Sequence, residues 1–257
     1  MRILIVWILI FNCLIISCRK EDPVISESDK LTVSFSSKHF AYFKSKSDPD
    51  IIDTAWQENY YVWIVEQLNI NVPEKIQYYK YRDQAHKLLL TGIAGNGFAE
   101  IGTYKFHTIW NVDNHECVHT IVTQIIGHPP ALFNEGIAVA HQADYFQYPY
   151  FVPGWNGQDF NKLAKEFKQN GNMPSLDKLL GTVTFWDFSS NITYPVAGSF
   201  VRFLIDQYGI IKMKSFISIS GFYDTKDKIH NDFYNTYGKT IENAWDEWDD
   251  FISNYQE

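Results

Sequence analysis

The chain has 257 residues, 46% of them apolar and 20% charged, with a formal net charge of −8. That length fits one large domain or two small ones, and that composition suits a globular protein with a sizeable core. The acidic balance lacks the basic surface that phosphate backbones require, which argues against a nucleic-acid partner.

The N-terminus reads apart from the fold. Arg2 precedes the apolar run "ILIVWILIF", and a basic start before a short apolar core is a secretory signal. The run is short for a membrane span and is broken by Asn12. "LIISC" at 14–18 resembles a bacterial lipobox. That resemblance implies removal of residues 1–17 and a lipid on Cys18. The protein would then be an outer-membrane lipoprotein facing the periplasm or the cell surface; an ordinary signal cleavage nearby is the alternative. Loss of residues 1–17 removes Arg2 from the 22 basic residues and takes the net charge from −8 to −9. Residues 18–37 are polar and aperiodic, as a tether would be, and "KED" at 20–22 resembles a surface-sorting signal. The mature chain keeps Cys18 and Cys117, too few for a disulfide framework.

The folded region is expected over 38–257. "KHFAYFK" (38–44) and "EKIQYYKY" (74–81) read as strands. Between them, 49–68 reads as a helix with Pro49 in its first turn and Ile52, Ala55, Trp56, Tyr60 and Trp63 at helical spacing. Residues 95–110 read as a hairpin about Gly102. From 112 the period turns helical, Gly127, Pro129 and Pro130 stop that helix, and a second runs from Ala131 to about Ala143. Further helices are expected at 158–169, 193–208, 210–219 and 240–255. Strands first and helices after predict an α+β domain, with an N-terminal α/β part to about 128 and a helical part beyond it.

His115-Glu116-Cys117-Val118-His119 is an H-E-x-x-H motif. On a helix, positions i and i+4 share a face, so both imidazoles can reach one ion. Glu116 lies beside them, able to touch a water at the ion without being a ligand. Asp113 or Asn114 can cap this helix, and Val118, Ile121, Val122, Ile125 and Ile126 give it an apolar face. Cys117 points off the histidine face and suits a small buried apolar role. His107, His128 and His141 read as satisfied surface or core histidines.

Fifteen residues separate His119 from Glu135, which sits in "ALFNEGIAVAHQ". Phe133 to Ala138 resemble the W-L-N-E-G-F-A motif of the gluzincin metallopeptidases, the M1 family among them. The resemblance covers roughly 38–255, is specific at the two motifs and is loose elsewhere. It implies a zincin-like domain that binds Zn2+ through His115, His119 and Glu135, with Glu116 as general base. Two His and one Glu leave the fourth zinc position open, as a catalytic site requires. Tyr194, at the start of a later helix, occupies a place where gluzincins often put an oxyanion-stabilising residue.

Three departures from known gluzincins stand out, the first two of them from M1 aminopeptidases. The loop between the second histidine and the glutamate is shorter. "GIAGNGFAEIG" holds no G-x-M-E-N segment for a free amine. Val139 stands where thermolysin-like relatives have an aspartate. The expected activity is therefore zinc-dependent hydrolysis of a peptide or protein, as an endopeptidase and a monomer. Zinc would acidify water and polarise the scissile carbonyl, and Glu116 would pass the water's proton to the leaving amine. The rival reading is a non-enzymatic surface lipoprotein that keeps the fold as a binding module.

Overall fold

The computed structural model describes residues 25–143 and 151–256. Cys18, the signal segment and "DYFQYPY" at 144–150 thus lie outside the described residues.

The molecule is α+β: a small mixed sheet followed by helices. The strands are β1 Thr32–Ser36, β2 Phe40–Lys44, β3 Ile76–Lys80, β4 Gly97–Glu100 and β5 Lys105–Thr108, in spatial order β1-β2-β3-β5-β4. The two outer pairs are antiparallel and the two inner pairs are parallel. The parallel pairs need crossovers, supplied by α1 (Thr54–Gln67) and α2 (Gln84–Thr91). Alternate residues Phe40, Tyr42, Ile76, Tyr78 and Phe106 point to one face and are fully buried. On this side lie α1 and α3 (Asn114–Ile125), with α3 against β4 and β5.

The chain then enters the helical half. It comprises α4 (Ala131–His141), α5 (Phe160–Gln169), α6 (Leu176–Leu180), a 3₁₀ turn (Thr184–Asp187), α7 (Ser190–Tyr208), α8 (Ile210–Ile219), α9 (Lys226–Tyr237) and α10 (Ile241–Asn254). Phe133, Phe200, Phe216, Phe233 and Trp248 fill its core. Every residue of α4 is buried, so this helix has no solvent face. Its closest partner is α7, and two glycines permit the approach. A Cβ on Gly136 would stand 2.7 Å from the Ala197 carbonyl oxygen, and one on Gly198 would stand 2.4 Å from Val139 Cγ1.

Several boundaries differ from the sequence reading. The first helix starts at Thr54, capped by Asp53, and not at Pro49. The residues flanking Pro49 serve a buried charge instead. Asp48 and Asp50 lie 3.1 and 3.2 Å from the fully buried Lys80 ammonium, and such a charge must be paired. The expected tether at 18–37 is corrected at its end, because 32–36 pair with β2 as an edge strand. Arg82 and His86 also hold Asp29 to α2, so the folded region begins before residue 38. Helices α2, α6 and α9 were not anticipated. Among the described residues no helix is long and apolar enough to cross a membrane.

Candidate metal centre

Two helices and one strand edge build the site. Asp113 caps α3, its Oδ1 accepting the Glu116 N–H at 3.0 Å. That fixes the first turn, where His115 and Glu116 lie half-buried at a cleft, while His119 follows one turn on. Pro129 and Pro130 turn the chain into α4 without a side-chain cap. Glu135 is then the one acidic residue in a helix that has no solvent face. A carboxylate there needs partners, and the two imidazoles are those partners.

His115 Nε2 and His119 Nε2 are 3.0 Å apart, and each lies 3.3 Å from Glu135 Oε2. Among the described residues these three form the group of His, Cys, Asp and Glu side chains whose donor atoms converge. Tetrahedral ligands about 2.0–2.1 Å from a zinc ion sit roughly 3.3 Å from one another. The donor set, two imidazoles and a carboxylate, therefore fits zinc in spacing and in chemistry. Glu116 stands outside the converging group yet lines the same cleft. A Cβ on Gly97 of β4 would lie 2.9 Å from Glu116 Oε1, so the glycine is what lets the strand pass over that carboxylate.

Electrostatics follow the geometry. Burial alone would raise the Glu135 pKa, but the charge of His119 and the bonds to both imidazoles hold it far below the carboxylate range. Burial alone would lower His115, yet Glu135, then Glu116 and Asp113, lift it to about 9. Burial, joined by the charge of Asp113, pushes Glu116 well above an ordinary glutamate. Burial likewise raises Asp113. Burial and the negative charge of Glu135 raise the Tyr194 phenol, which stays protonated at neutral pH.

Tyr194 is brought into the site from the first turns of α7. Its ring lies parallel to His115, with centroids 5.6 Å apart and an interplanar angle of 7°. Cys117 is free and fully buried on the far side of α3. His107 is bonded to Tyr81 and Glu100, and His141 to the Ile137 carbonyl. His128 stacks on Phe222 and lines the cleft.

The residue that sequence reasoning missed is Gln142. Its Oε1 lies 2.7 Å from His115 Nδ1, and its Nε2 donates to the Gly154 carbonyl at 2.7 Å. An amide oxygen accepts, so Nδ1 keeps its proton, and it is the Nε2 proton whose displacement turns a lone pair toward the converging donors. The signal was its position: seven residues after Glu135 is two helical turns, hence the same face. Nδ1 of His119 is buried and has no hydrogen-bond partner among the described residues.

No family model, curated protein or solved structure matches this chain. The functional reading therefore rests on the site itself.

Proposed function

We propose that the protein is a zinc-dependent peptide hydrolase of the gluzincin type, acting as an endopeptidase from a lipid anchor at Cys18. The observation that carries the reading is the convergence of His115, His119 and Glu135, with Glu116 beside them and outside the donor group. When bound there, zinc supplies a Lewis acid that lowers the pKa of water and polarises a carbonyl.

The chain's own residues divide the remaining work. Glu116 accepts a proton from the attacking water and delivers it to the leaving amine. Its raised proton affinity suits that exchange. Tyr194 donates its phenolic hydrogen toward the oxygen on which negative charge develops. Gln142 holds His115 in the tautomer that a metal ligand needs.

A peptide is favoured over other substrates by β4. It is an edge strand that pairs only with β5 among the described strands, and Gly97, Phe98 and Ala99 border the cleft. A free strand edge offers backbone groups to an extended chain. Among the described residues no Lys or Arg lines the cleft, so neither side chain is there to pair with a terminal carboxylate. This supports internal cleavage. An open cleft beside the three donors also favours an enzyme over a binding module, which needs no general base.

The test is hydrolysis of peptide libraries by wild type and Glu116→Gln, both zinc-loaded. Cleavage by wild type should fall by about 10²–10⁴-fold in the variant. Equal cleavage by both proteins would sink the mechanism.

A further inference from the structure

The cleft divides into two lobes about Gly97, His115, Glu116 and Tyr194, which line both. The smaller lobe, about 210 Å³, runs over Phe98, Ala99, Ile101 and His128. The larger, about 700 Å³, runs over Trp110, Trp155, Asn114, Asn156, Ser190 and Asn191. Pockets of roughly 300–1,000 Å³ enclose a whole small molecule, so the larger lobe exceeds what one amino-acid side chain fills.

Amide and hydroxyl side chains recur along its wall, with two indoles among them. Side-chain amides each donate and accept hydrogen bonds, as does a serine hydroxyl. A sugar hydroxyl needs such two-way partners. Indole faces are apolar, and they match the C–H face of a pyranose. Trp110 is 51% exposed, so its ring is available to a ligand. Asn114 is only 5% exposed by contrast, and its Nδ2 donates to the Ala143 carbonyl. Among the described residues no Lys or Arg lines the lobe. Phosphate, sulfate and uronate groups would find no cationic partner there.

We propose that this lobe takes a neutral sugar, a hexose or N-acetylhexosamine, carried on the peptide next to the bond that is cut. The preferred substrate is then a glycopeptide. The inference rests on the peptidase reading, because the lobe shares His115, Glu116 and Tyr194 with the metal side of the cleft.

The test uses matched peptide libraries: plain, with threonine carrying one N-acetylgalactosamine, and with that sugar extended by an anionic sialic acid. The zinc-loaded wild type should cut beside the neutral sugar with kcat/KM at least about tenfold above the plain peptide. The anionic extension should remove the gain, and Trp110→Ala should bring the ratio of glycosylated to plain toward one. Equal rates on the plain and neutral-sugar peptides, both dependent on Glu116, would overturn the glycopeptide inference and leave the peptidase reading standing. If wild type cuts neither set, calorimetric binding to zinc-loaded Glu116→Gln decides. Binding of the neutral-sugar peptide alone supports the lobe assignment although the peptidase reading has failed; equal or absent binding overturns it.

Discussion

Gln142 shows what one side chain can add to a motif. Val139, which the resemblance sets against an aspartate of thermolysin-like peptidases, is committed to Gly198 in the helix contact. A carboxylate there would be buried without a partner. The support for His115 comes instead from one turn further along, just past the last residue of α4. Gln142→Leu keeps the volume and removes the acceptor. Its zinc affinity should fall by about 10–100-fold with a near-wild-type melting temperature, as a competition titration with a chelating dye would read; unchanged affinity would remove Gln142 from the site. His115 gives a second expectation. Its pKa is raised to about 9 in the metal-free protein by Glu135 against the effect of burial, so a metal must displace that proton. Apparent zinc affinity should rise about tenfold per pH unit below 9 and flatten above it. As a stability contribution the pH dependence runs the opposite way. The raised His115 pKa stabilises the metal-free fold fully below the ordinary histidine value, and that contribution is lost as pH climbs through about 9. A pH-independent zinc affinity between about 7 and 9 would contradict this. His115, Glu116 and His119 were legible because their spacing on one helix is fixed by the period, and Glu135 because its segment resembles the gluzincin motif. Gln142 was not, since an amide takes this place without any motif to mark it.

At the scale of elements, close approach is the recurring theme. Gly136→Ala would put a methyl group 2.7 Å from the backbone oxygen of Ala197, which cannot move without shifting α7. Overpacking of this kind costs about 1–3 kcal/mol, and denaturant unfolding should show it as a lower midpoint. Gly97→Ala differs, because its new methyl group first meets the side chain of Glu116, which can swing away, while the His107 backbone oxygen is next at 3.1 Å. Stability should hold while cleavage falls, by up to about 10²-fold, since a general base displaced by an ångström is a poor one. A Gly97→Ala enzyme with full activity would show that Glu116 has room to spare. The elements that were hard to read share a physical cause. Strand β1 is exposed along its whole length, so no buried face marks it against a polar tether. Helix α2 has eight residues between the Asp83 cap and the left-handed Gly92, with Leu88 and Leu89 turned outward. Helix α9 does bury Ile229, Phe233 and Tyr237 at four-residue spacing, but polar neighbours mask the pattern. Helices α3, α4 and α7, which build the site, were readable, as were α1, α5, α8 and α10.

At the scale of the molecule, sheet and helices meet at the cleft. Strand β4 borders it, α3 and α4 supply the converging donors, and α7 supplies Tyr194. The α+β class followed from strands preceding helices, whereas the sheet order with β5 inside β4 did not, because pairing between distant strands leaves no local pattern. The central claim is that two glutamates at one cleft do different work: Glu135 binds metal and Glu116 moves a proton. Zinc per chain after dialysis, measured side by side for wild type, Glu116→Gln and Glu135→Gln, tests it most directly. Wild type and Glu116→Gln should each retain one zinc, and Glu135→Gln should lose most of it, because a neutral amide replaces a charged oxygen ligand poorly. Equal zinc loss in both variants, or full retention in Glu135→Gln, would contradict the account.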